Sequence, residues 1–549
     1  MNRTLIALIA ALLSSPALAN TLIDNVNGIQ VGADGKIEHF DGLIIGDDGK
    51  VVRTVRGNEL SRLNFQKKVD GQGRTLLPGL IDAHGHIMSL GFTAMQLDLT
   101  GTNSLADFQQ RLRSYAAANP DVHWIVGRGW NQELWPDQRF PTSADLDAVV
   151  RDRPVWLERI DGHAAIANSA AMKAAGITAA TQAPAGGRIE NGLFVDAAQG
   201  LIDKSVPPPS AKDLDQAFAK AQEILLGYGV TATAVMGTPL DYWETMLRSG
   251  DAGGLRMRVF DYAEGVAPLK TITRPTPWLY GDRLRMVGVK LYADGALGSR
   301  GAFLKQPYSD KPDTRGLQFH SDAELLNLAN TAAAAGFQVA THAIGDAANA
   351  QVISTYEQLA MKYPGDRRWR IEHVQVVDPI DIPRIARAGI IASMQPTHQT
   401  SDRLMAEKRL GPNRLAGAYA WNTILKTGAH LAFGSDYPVE SPNPFPGLAA
   451  AISRQDMNGE PPGGWRPQER VSFETALAGF TREAAYASFA EDRVGALEPG
   501  KWADFILIDR DPTQVDAQAL YGTQVLETWV AGKKAWERAP NAVATERGK

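Results

Sequence analysis

The central part of the chain alternates short apolar runs with longer segments that have helical periodicity. This alternation is typical of βα units that build a parallel sheet. Eight runs qualify as strands, and they end near His84, Met236, Tyr262, Tyr292, His342, His373, Gln395 and Asp436. Eight parallel strands suit a closed (β/α)8 barrel, which we place at residues 77–495.

The first two predicted strands are separated by a stretch that is much too long for one crossover helix. Its middle part, about residues 105–209, has strand and helix signals of its own and ends in a run of three prolines. Long connections without internal structure are uncommon in compact domains. We therefore predict an inserted subdomain after the first strand of the barrel.

The two ends of the mature chain have a different pattern, in which short β-like runs are separated by turns rich in Gly and Asp. Such runs are typical of small antiparallel sheets. They occupy residues 20–76 and recur near the C-terminus at 503–509 and 523–530. We predict that segments 20–76 and 496–549 together form one small β-sandwich.

Residues 1–19 have the pattern of a secretory signal peptide. Arg3 precedes an apolar run at residues 5–13, and a small-x-small sequence ends at Ala19. The apolar run is about half of the ~20 residues that a spanning helix needs, so a membrane anchor is the less favoured alternative. We expect cleavage after Ala19, a periplasmic or secreted location, and no membrane span in the mature chain.

Composition and charge narrow the class of protein. The 549 residues are 44% hydrophobic and 21% charged, which is typical of a globular protein with a large core. The net charge of −5 is small for this length and argues against a nucleic-acid partner. No cysteine is present, so disulfides are excluded. The expected partners are a small-molecule substrate and, if the protein is a homodimer, a second copy of the chain.

Chemically active side chains stand at the ends of the predicted strands. Residues 77–86 read LPGLIDAHGH, and His84 and His86 face the same way if this segment is a strand. Later strands end in Lys290, His342, His373 and Asp436. Catalytic residues of a (β/α)8 barrel come from the C-terminal ends of its strands. Because neutral imidazole and carboxylate bind Zn²⁺ and similar ions, the pattern predicts a metal site.

Lys290 suits a metal site only in a modified form. An ammonium group would repel a cation, whereas a buried neutral amine can react with CO₂ to give an anionic carbamate that bridges two ions. The alternative is a lysine paired with Asp294, and the site would then hold a single ion. Two ions about 3.5–4 Å apart would share a hydroxide. Asp436 would take the proton of this attacking group and return it to the leaving nitrogen.

Several motifs resemble those of the amidohydrolase superfamily, and more narrowly its branch of N-substituted formamide deformylases, often called amidohydrolase family 3. They are LPGLIDAHGH (77–86), GRGWNQELWP (127–136), RIDGHAAIANSAAM (159–172), VKLYADGALGSR (289–300), THAIGD (341–346), IEHVQ (371–375), MQPTHQTSD (394–402), GSDYPVESPNPF (434–445) and GALEPGKWADFILID (495–509). Motifs in this order span nearly the whole mature chain. The resemblance implies a barrel hydrolase with two divalent ions, Zn²⁺ first among them.

The resemblance also implies a role for each candidate. The implied metal ligands are His84 and His86 on the first ion with Asp436 beside it, the carbamate of Lys290 as the bridge, and His342 and His373 on the second ion. The candidates for substrate contact are His163, Trp130 and Glu133 in the insert, and Asp294 and Arg300 after the fourth strand. For these five, packing or loop folding is the alternative. Gln395 and His398 are further candidates.

The expected activity is hydrolysis of a carbon–nitrogen bond other than a peptide bond, in an amide or N-formyl compound, by a metal-bridging hydroxide. Two alternatives stay open. The same barrel and ligands support non-hydrolytic chemistry, so a metal-dependent isomerase or lyase is one. A non-catalytic periplasmic solute-binding protein is the other. The physiological substrate is not evident from the sequence.

Overall fold

The computed structural model describes residues 21–60, 65, 67–159, 162, 164–184 and 187–539. The predicted signal peptide and His163 therefore lie outside the described residues. Within the described ranges, no helix is both long enough and apolar enough to cross a membrane.

Eight strands form the central sheet. In chain order they are β1 (Leu80–Gly85), β2 (Val230–Thr238), β3 (Arg258–Glu264), β4 (Leu284–Tyr292), β5 (Gln338–Ala343), β6 (Arg370–His373), β7 (Ile391–Met394) and β8 (Leu431–Phe433). Each strand pairs in parallel with the next along the chain. A parallel bridge between Gly85 and Tyr437 joins the two edges. The predicted (β/α)8 barrel is confirmed.

The strands are apolar because side chains cover both faces of the sheet, as in other all-parallel sheets. The buried core of the barrel includes Ile81, Ala234, Phe260, Val287 and Ile391, which come from five different strands. The cluster combines small residues such as Ala234 with large ones such as Phe260, and all of its core members are buried. A filled interior leaves the chemistry to the residues at the ends of the strands.

Helices alternate with the barrel strands. Those of the barrel and its connections are Ala211–Gly227, Leu240–Asp251, Asp322–Ala334, Asp346–Lys362, Ile382–Arg387, Pro396–Leu410, Trp421–Leu425, Pro444–Ser453, Phe473–Gly479 and Arg482–Ala487. Local sequence sets several of their ends. A reciprocal capping box of Ser321 and Glu324 starts the helix after β4. Pro396 at the first position starts the helix after β7, and Gly411, with φ of 71°, ends it.

A second compact unit comprises residues 86–222 and 241–254. Its six-stranded sheet has the spatial order Gly187–Glu190, Leu193–Asp196, Ala164–Ala167, Val155–Arg159, Ile125–Trp130 and Leu97–Asp98. Its further helices are Ile87–Met95, Leu105–Ala118, Ser143–Asp147, Ser169–Ala174 and Gly200–Asp203. Trp130, Trp135 and Phe108 lie in its core. The insert predicted at about residues 105–209 falls inside this unit.

The two ends of the chain meet in a second six-stranded sheet, with the order Lys533–Glu537, Val525–Val530, Phe505–Ile508, Thr75–Pro78, Asn27–Val31 and Ile37–Phe40. A four-stranded sheet has the order Val51–Val55, Gly42–Ile45, Thr21–Asp24 and Lys67–Asp70. One apolar cluster contains residues of both sheets, among them Ile23, Leu43, Leu76, Phe505 and Trp529. N- and C-terminal segments therefore share one core.

Candidate metal centre

Two groups of potential metal ligands lie at the C-terminal ends of the barrel strands. In each group, one nitrogen or oxygen atom per residue lies within 4.8 Å of the others. The first group is His84, His86 and Asp436, and the second is His373, His398 and Asp436. The two groups share Asp436, so one carboxylate lies next to two sets of imidazoles.

The first group is built by β1 and by the turn that follows β8. His84 is fully buried, and its Nε2 atom lies 3.5 Å from Asp436 Oδ1. His86 is two positions further on, just beyond the end of β1 at Gly85, and it precedes the helix Ile87–Met95. Asp436 has φ of 59°, and its amide donates a hydrogen bond of 2.7 Å to the carbonyl of His84. The backbone itself thus holds Asp436 against the end of β1.

The second group combines β6 with the first turn of the helix Pro396–Leu410. His373 Nδ1 donates to Gln395 Oε1 over 2.8 Å, which leaves its Nε2 atom for a metal. His398 Nε2 lies 3.7 Å from Asp436 Oδ2. The rings of His373 and His398 are stacked, with 5.9 Å between their centroids. Sequence reasoning had not assigned His398 to the metal site, because it lies on a helix and not at the end of a strand.

His342 lies beside these groups without being a member of either. Its ring centroid is 4.6 Å from that of His373, and its Nε2 atom is 3.5 Å from Asp294 Oδ1. Asp294 itself accepts hydrogen bonds from the backbone amides of Phe303, Ile344 and Gly345 at 2.8 to 3.0 Å. Asp294 therefore anchors the loops after β4 and β5.

Lys290 is buried at the end of β4, with its Nζ atom 3.3 Å from His84 Nε2. Burial lowers the pKa of this lysine to about 8, although the nearby carboxylates of Glu372 and Asp436 act in the opposite direction. A larger fraction of the amine is consequently neutral near pH 7 than for an exposed lysine. The neutral amine is the form that reacts with CO₂.

Three of the neighbouring histidines, His84, His342 and His373, have the protonation state that metal binding requires. Burial is the main cause that lowers the pKa of His84 to about 4 and that of His342 to about 3, with the charge of Lys290 acting in the same direction. Burial also places the pKa of His373 well below its ordinary value. All three imidazoles are therefore neutral at pH 7, and neutral imidazole is the ligand form.

The buried ion pair of Glu372 and Arg370 holds the ring of His84 in place, and sequence reasoning missed it. His84 Nδ1 donates to Glu372 Oε2 over 2.6 Å, and Arg370 donates to both oxygens of Glu372 at 2.7 and 3.1 Å. Arg370 also donates to the carbonyl of Ala83 and to Ser393 Oγ. Burial acts to raise the pKa of Glu372, but the charge of Arg370 and the hydrogen bond from His84 outweigh it, and the pKa lies well below the usual range.

Asp82 is a second buried carboxyl group that sequence reasoning missed. It accepts hydrogen bonds from the backbone amide of His84, at 3.0 Å, and from Ser435 Oγ, at 2.6 Å. Burial raises its pKa to about 7. Asp82 thereby ties the end of β1 to the segment after β8. A charged residue inside an otherwise apolar strand is the sequence signal that could have identified both Asp82 and Glu372.

The remaining candidates for substrate contact are members of neither ligand group. Trp130 is buried in the core of its own unit, where its Nε1 atom donates to the carbonyl of Leu157 over 2.9 Å. Glu133 accepts a hydrogen bond from its neighbour Gln132. Arg300 forms an ion pair with Asp310 at 2.9 Å. These contacts do not test substrate binding, and the role of the three residues stays a prediction.

The donor set fits a divalent cation. Imidazole and carboxylate are suitable ligands for Zn²⁺ and for its neighbours Mn²⁺, Fe²⁺ and Co²⁺. The Nε2 atoms of His342 and His398 are buried and have no hydrogen-bond partner among the described residues. Buried polar atoms without a partner are costly, and a metal ion is one way to satisfy such nitrogens.

The fold and the potential ligands at the strand ends together define the class of the protein, which is a (β/α)8 barrel with a candidate metal site. The chain belongs to the amidohydrolase family, whose defining sequence pattern matches residues 67–535. The resemblance that its motifs indicated is confirmed.

Comparison with individual proteins agrees with this assignment. The chain is 33% identical over 502 residues to Protein LONG AFTER FAR-RED 3 of Arabidopsis thaliana, covering 85% of this chain and 83% of that protein. It is 27% identical to the N-substituted formamide deformylase of Arthrobacter pascens, covering 86% of this chain and 90% of the relative. An uncharacterized metal-dependent hydrolase from Pyrococcus horikoshii superposes with a TM-score of 0.76 at 28% identity, over 90% of this chain and 99% of that one.

Proposed function

We propose that this protein hydrolyses a carbon–nitrogen bond other than a peptide bond, in an amide or N-formyl amine, with the help of two divalent ions. The observation that carries the proposal is the pair of His and Asp groups around Asp436 at the mouth of the barrel. The similarity to an N-substituted formamide deformylase supports the choice of bond.

In this proposal the ligands are His84, His86 and Asp436 for the first ion, His342 and His373 for the second ion, and the carbamate of Lys290 as the bridge. The low pKa of Lys290 supports the carbamate, because a neutral amine is needed for its formation. When bound, the ions would lower the pKa of a water molecule and polarise the scissile carbonyl. Zn²⁺ is the ion that we propose first.

Asp436 is the residue that we assign to proton transfer. Its carboxylate would accept a proton from the water as the new carbon–oxygen bond forms. The same proton would then pass to the leaving nitrogen as the carbon–nitrogen bond breaks, so the group acts first as a base and then as an acid. Glu372 and Arg370 would keep His84 in the tautomer that presents Nε2 to the first ion.

The test is an assay of amine release from a panel of N-formyl amines and amides, made alongside metal analysis. We expect activity in the metal-loaded protein, loss after chelation, and recovery on addition of Zn²⁺ that is greater with bicarbonate than without it. A chelator already saturated with Zn²⁺ is the control. An isomerised or decarboxylated product without amine release would favour an isomerase or lyase, and an active metal-free protein would overturn the proposal.

We further propose a small-molecule substrate, a homodimer, and a periplasmic or secreted location. The location rests on the leader-like pattern of residues 1–19. Fractionation of a bacterial host that expresses the full chain should recover the protein in the periplasm or the medium. Recovery only in the cytoplasm, with Met1 to Ala19 still attached, would contradict it.

A further inference from the structure

We propose that His398 is a ligand of the second metal ion, together with His373. This inference rests on the two-ion function proposed above and adds to it a ligand from outside the strand ends. It changes the expected composition of the second site, because the resemblance implied His342 and His373 there and left His398 without a role.

The geometry of the second group is the first support. One potential ligand atom from each of His373, His398 and Asp436 lies within 4.8 Å of the other two. Zn²⁺ binds imidazole nitrogen at about 2.0–2.1 Å and carboxylate oxygen at about 2.0–2.2 Å, so two ligand atoms on one tetrahedral ion are about 3.4 Å apart. The side chains of the group would therefore have to move closer by up to about 1.4 Å to bind an ion, which changes of side-chain torsion can supply.

The two oxygens of Asp436 provide the second support. Oδ1 lies 3.5 Å from His84 Nε2, in the first group, and Oδ2 lies 3.7 Å from His398 Nε2, in the second group. Each oxygen thus faces a different set of imidazoles. If Oδ1 binds the first ion, Oδ2 stays free to accept a proton. The ions of two-metal sites are about 3.5–4 Å apart, so an imidazole next to Oδ2 lies within reach of the second ion.

The third support is the way in which Gln395 holds both imidazoles. Its side chain accepts the hydrogen bond of His373 Nδ1, and its backbone carbonyl accepts one from the amide of His398 at 3.2 Å. One residue at the junction of β7 and the following helix therefore positions two histidines. Ligands that are held in this way lose less freedom when they bind a metal.

A purely structural role for His398 does not explain why its buried Nε2 atom has no hydrogen-bond partner among the described residues. A histidine that served only in packing would leave a buried polar atom unsatisfied, at a cost of about 1–3 kcal/mol. A metal ion on Nε2 removes that cost. The ring of His342 lies 4.6 Å from that of His373, so His342 can be a further ligand of the same ion.

The experiment compares metal binding by the full-length protein and three variants, His398→Ala, His398→Cys and His320→Ala. The proteins are stripped by chelation, reloaded with Zn²⁺ or Co²⁺, and analysed for metal content and affinity. We expect two ions in the wild type and in His320→Ala, which removes a histidine outside both groups. In His398→Ala the second ion should be lost or bound at least about tenfold more weakly.

The cysteine variant separates a ligand from a packing residue. The chain contains no cysteine, so the thiolate of His398→Cys is unique. A thiolate can bind the metal in place of the imidazole, and we expect a sulfur-to-cobalt charge-transfer band in the near ultraviolet that the wild type lacks. Thermal unfolding of the stripped proteins shows whether the variants fold.

The outcomes are distinct. Two ions in every variant with unchanged affinity, and no charge-transfer band, would overturn the role of His398 and leave the two-ion hydrolase intact. Fewer than two ions in the wild type would overturn the two-ion function, and the proposal for His398 with it. Loss of the second ion in His398→Ala, together with the cobalt–thiolate band in His398→Cys, would support both the two-ion function and the role of His398 as a ligand.

Discussion

Replacement of Asp436 by Asn is expected to reduce the turnover number by about 10²–10⁴-fold in protein that has been saturated with metal. Asn has the same size as Asp and keeps an oxygen that can bind a cation, but it cannot accept a proton. The variant therefore separates proton transfer from metal binding at the residue that both ligand groups share. Turnover of an N-formyl amine and metal content, measured on the same preparation, check the prediction.

Asp366→Asn is the matched control for this experiment. Asp366 is an exposed carboxylate that pairs with Arg368, and it belongs to neither ligand group. Its replacement should leave turnover and metal content unchanged. A modest loss of turnover in Asp436→Asn, with metal retained, would mean that Asp436 is a ligand only and that another group carries the proton.

Replacement of Arg370 by Met is expected to lower the free energy of unfolding of the barrel by about 3–5 kcal/mol, because it removes the arginine that pairs with the buried Glu372 and leaves that carboxylate with the hydrogen bond from His84. Both residues are fully buried, and Arg370 donates five hydrogen bonds, to Glu372, Tyr262, Ser393 and the carbonyl of Ala83. Met fills a similar volume without the charge. The effect is measured by urea unfolding of the metal-free wild type and variant, as the difference in the free energy of their first unfolding transition.

Two further variants test the cause of that loss. Arg300→Met removes an arginine side chain from a solvent-exposed pair with Asp310 and should lower the free energy of unfolding much less than Arg370→Met does. Glu372→Gln in the Arg370→Met background removes the stranded charge and should restore part of the stability. If Arg370→Met were no more harmful than Arg300→Met, the buried pair would not be a main support of the barrel.

The barrel could be predicted from the sequence because its strands are buried on both faces and therefore read as uninterrupted apolar runs. The predicted ends agree with the structure within a few residues. For example, β7 ends at Met394 and β8 at Phe433, just before Gln395 and Asp436. The polar residue that closes each run marks the mouth of the barrel, so the candidate ligands followed from the strand pattern.

The supporting contacts could not be predicted, because they join residues that are distant in the sequence. Glu372 contacts His84 across 288 positions, and no local pattern records that contact. His398 lies in the first turn of a helix, where a histidine at one position has no periodicity to distinguish it from a surface residue. Asp294 is a candidate for substrate contact, but it also accepts three backbone hydrogen bonds. The donors of two of them lie about 50 positions away in the sequence, so no local pattern predicts these bonds.

The sheet that unites the two ends of the chain has a consequence for biosynthesis. Phe505 pairs with Pro78 in that sheet, so about 430 residues must be made between the two partner strands. At a synthesis rate of about 5–20 residues per second, the strand Thr75–Pro78 waits roughly 20 to 90 s for its neighbour. During that interval its edge is open to other extended chains. The growing polypeptide is thus exposed to aggregation until its last segment arrives, and chaperone binding at the N-terminal strands would protect it.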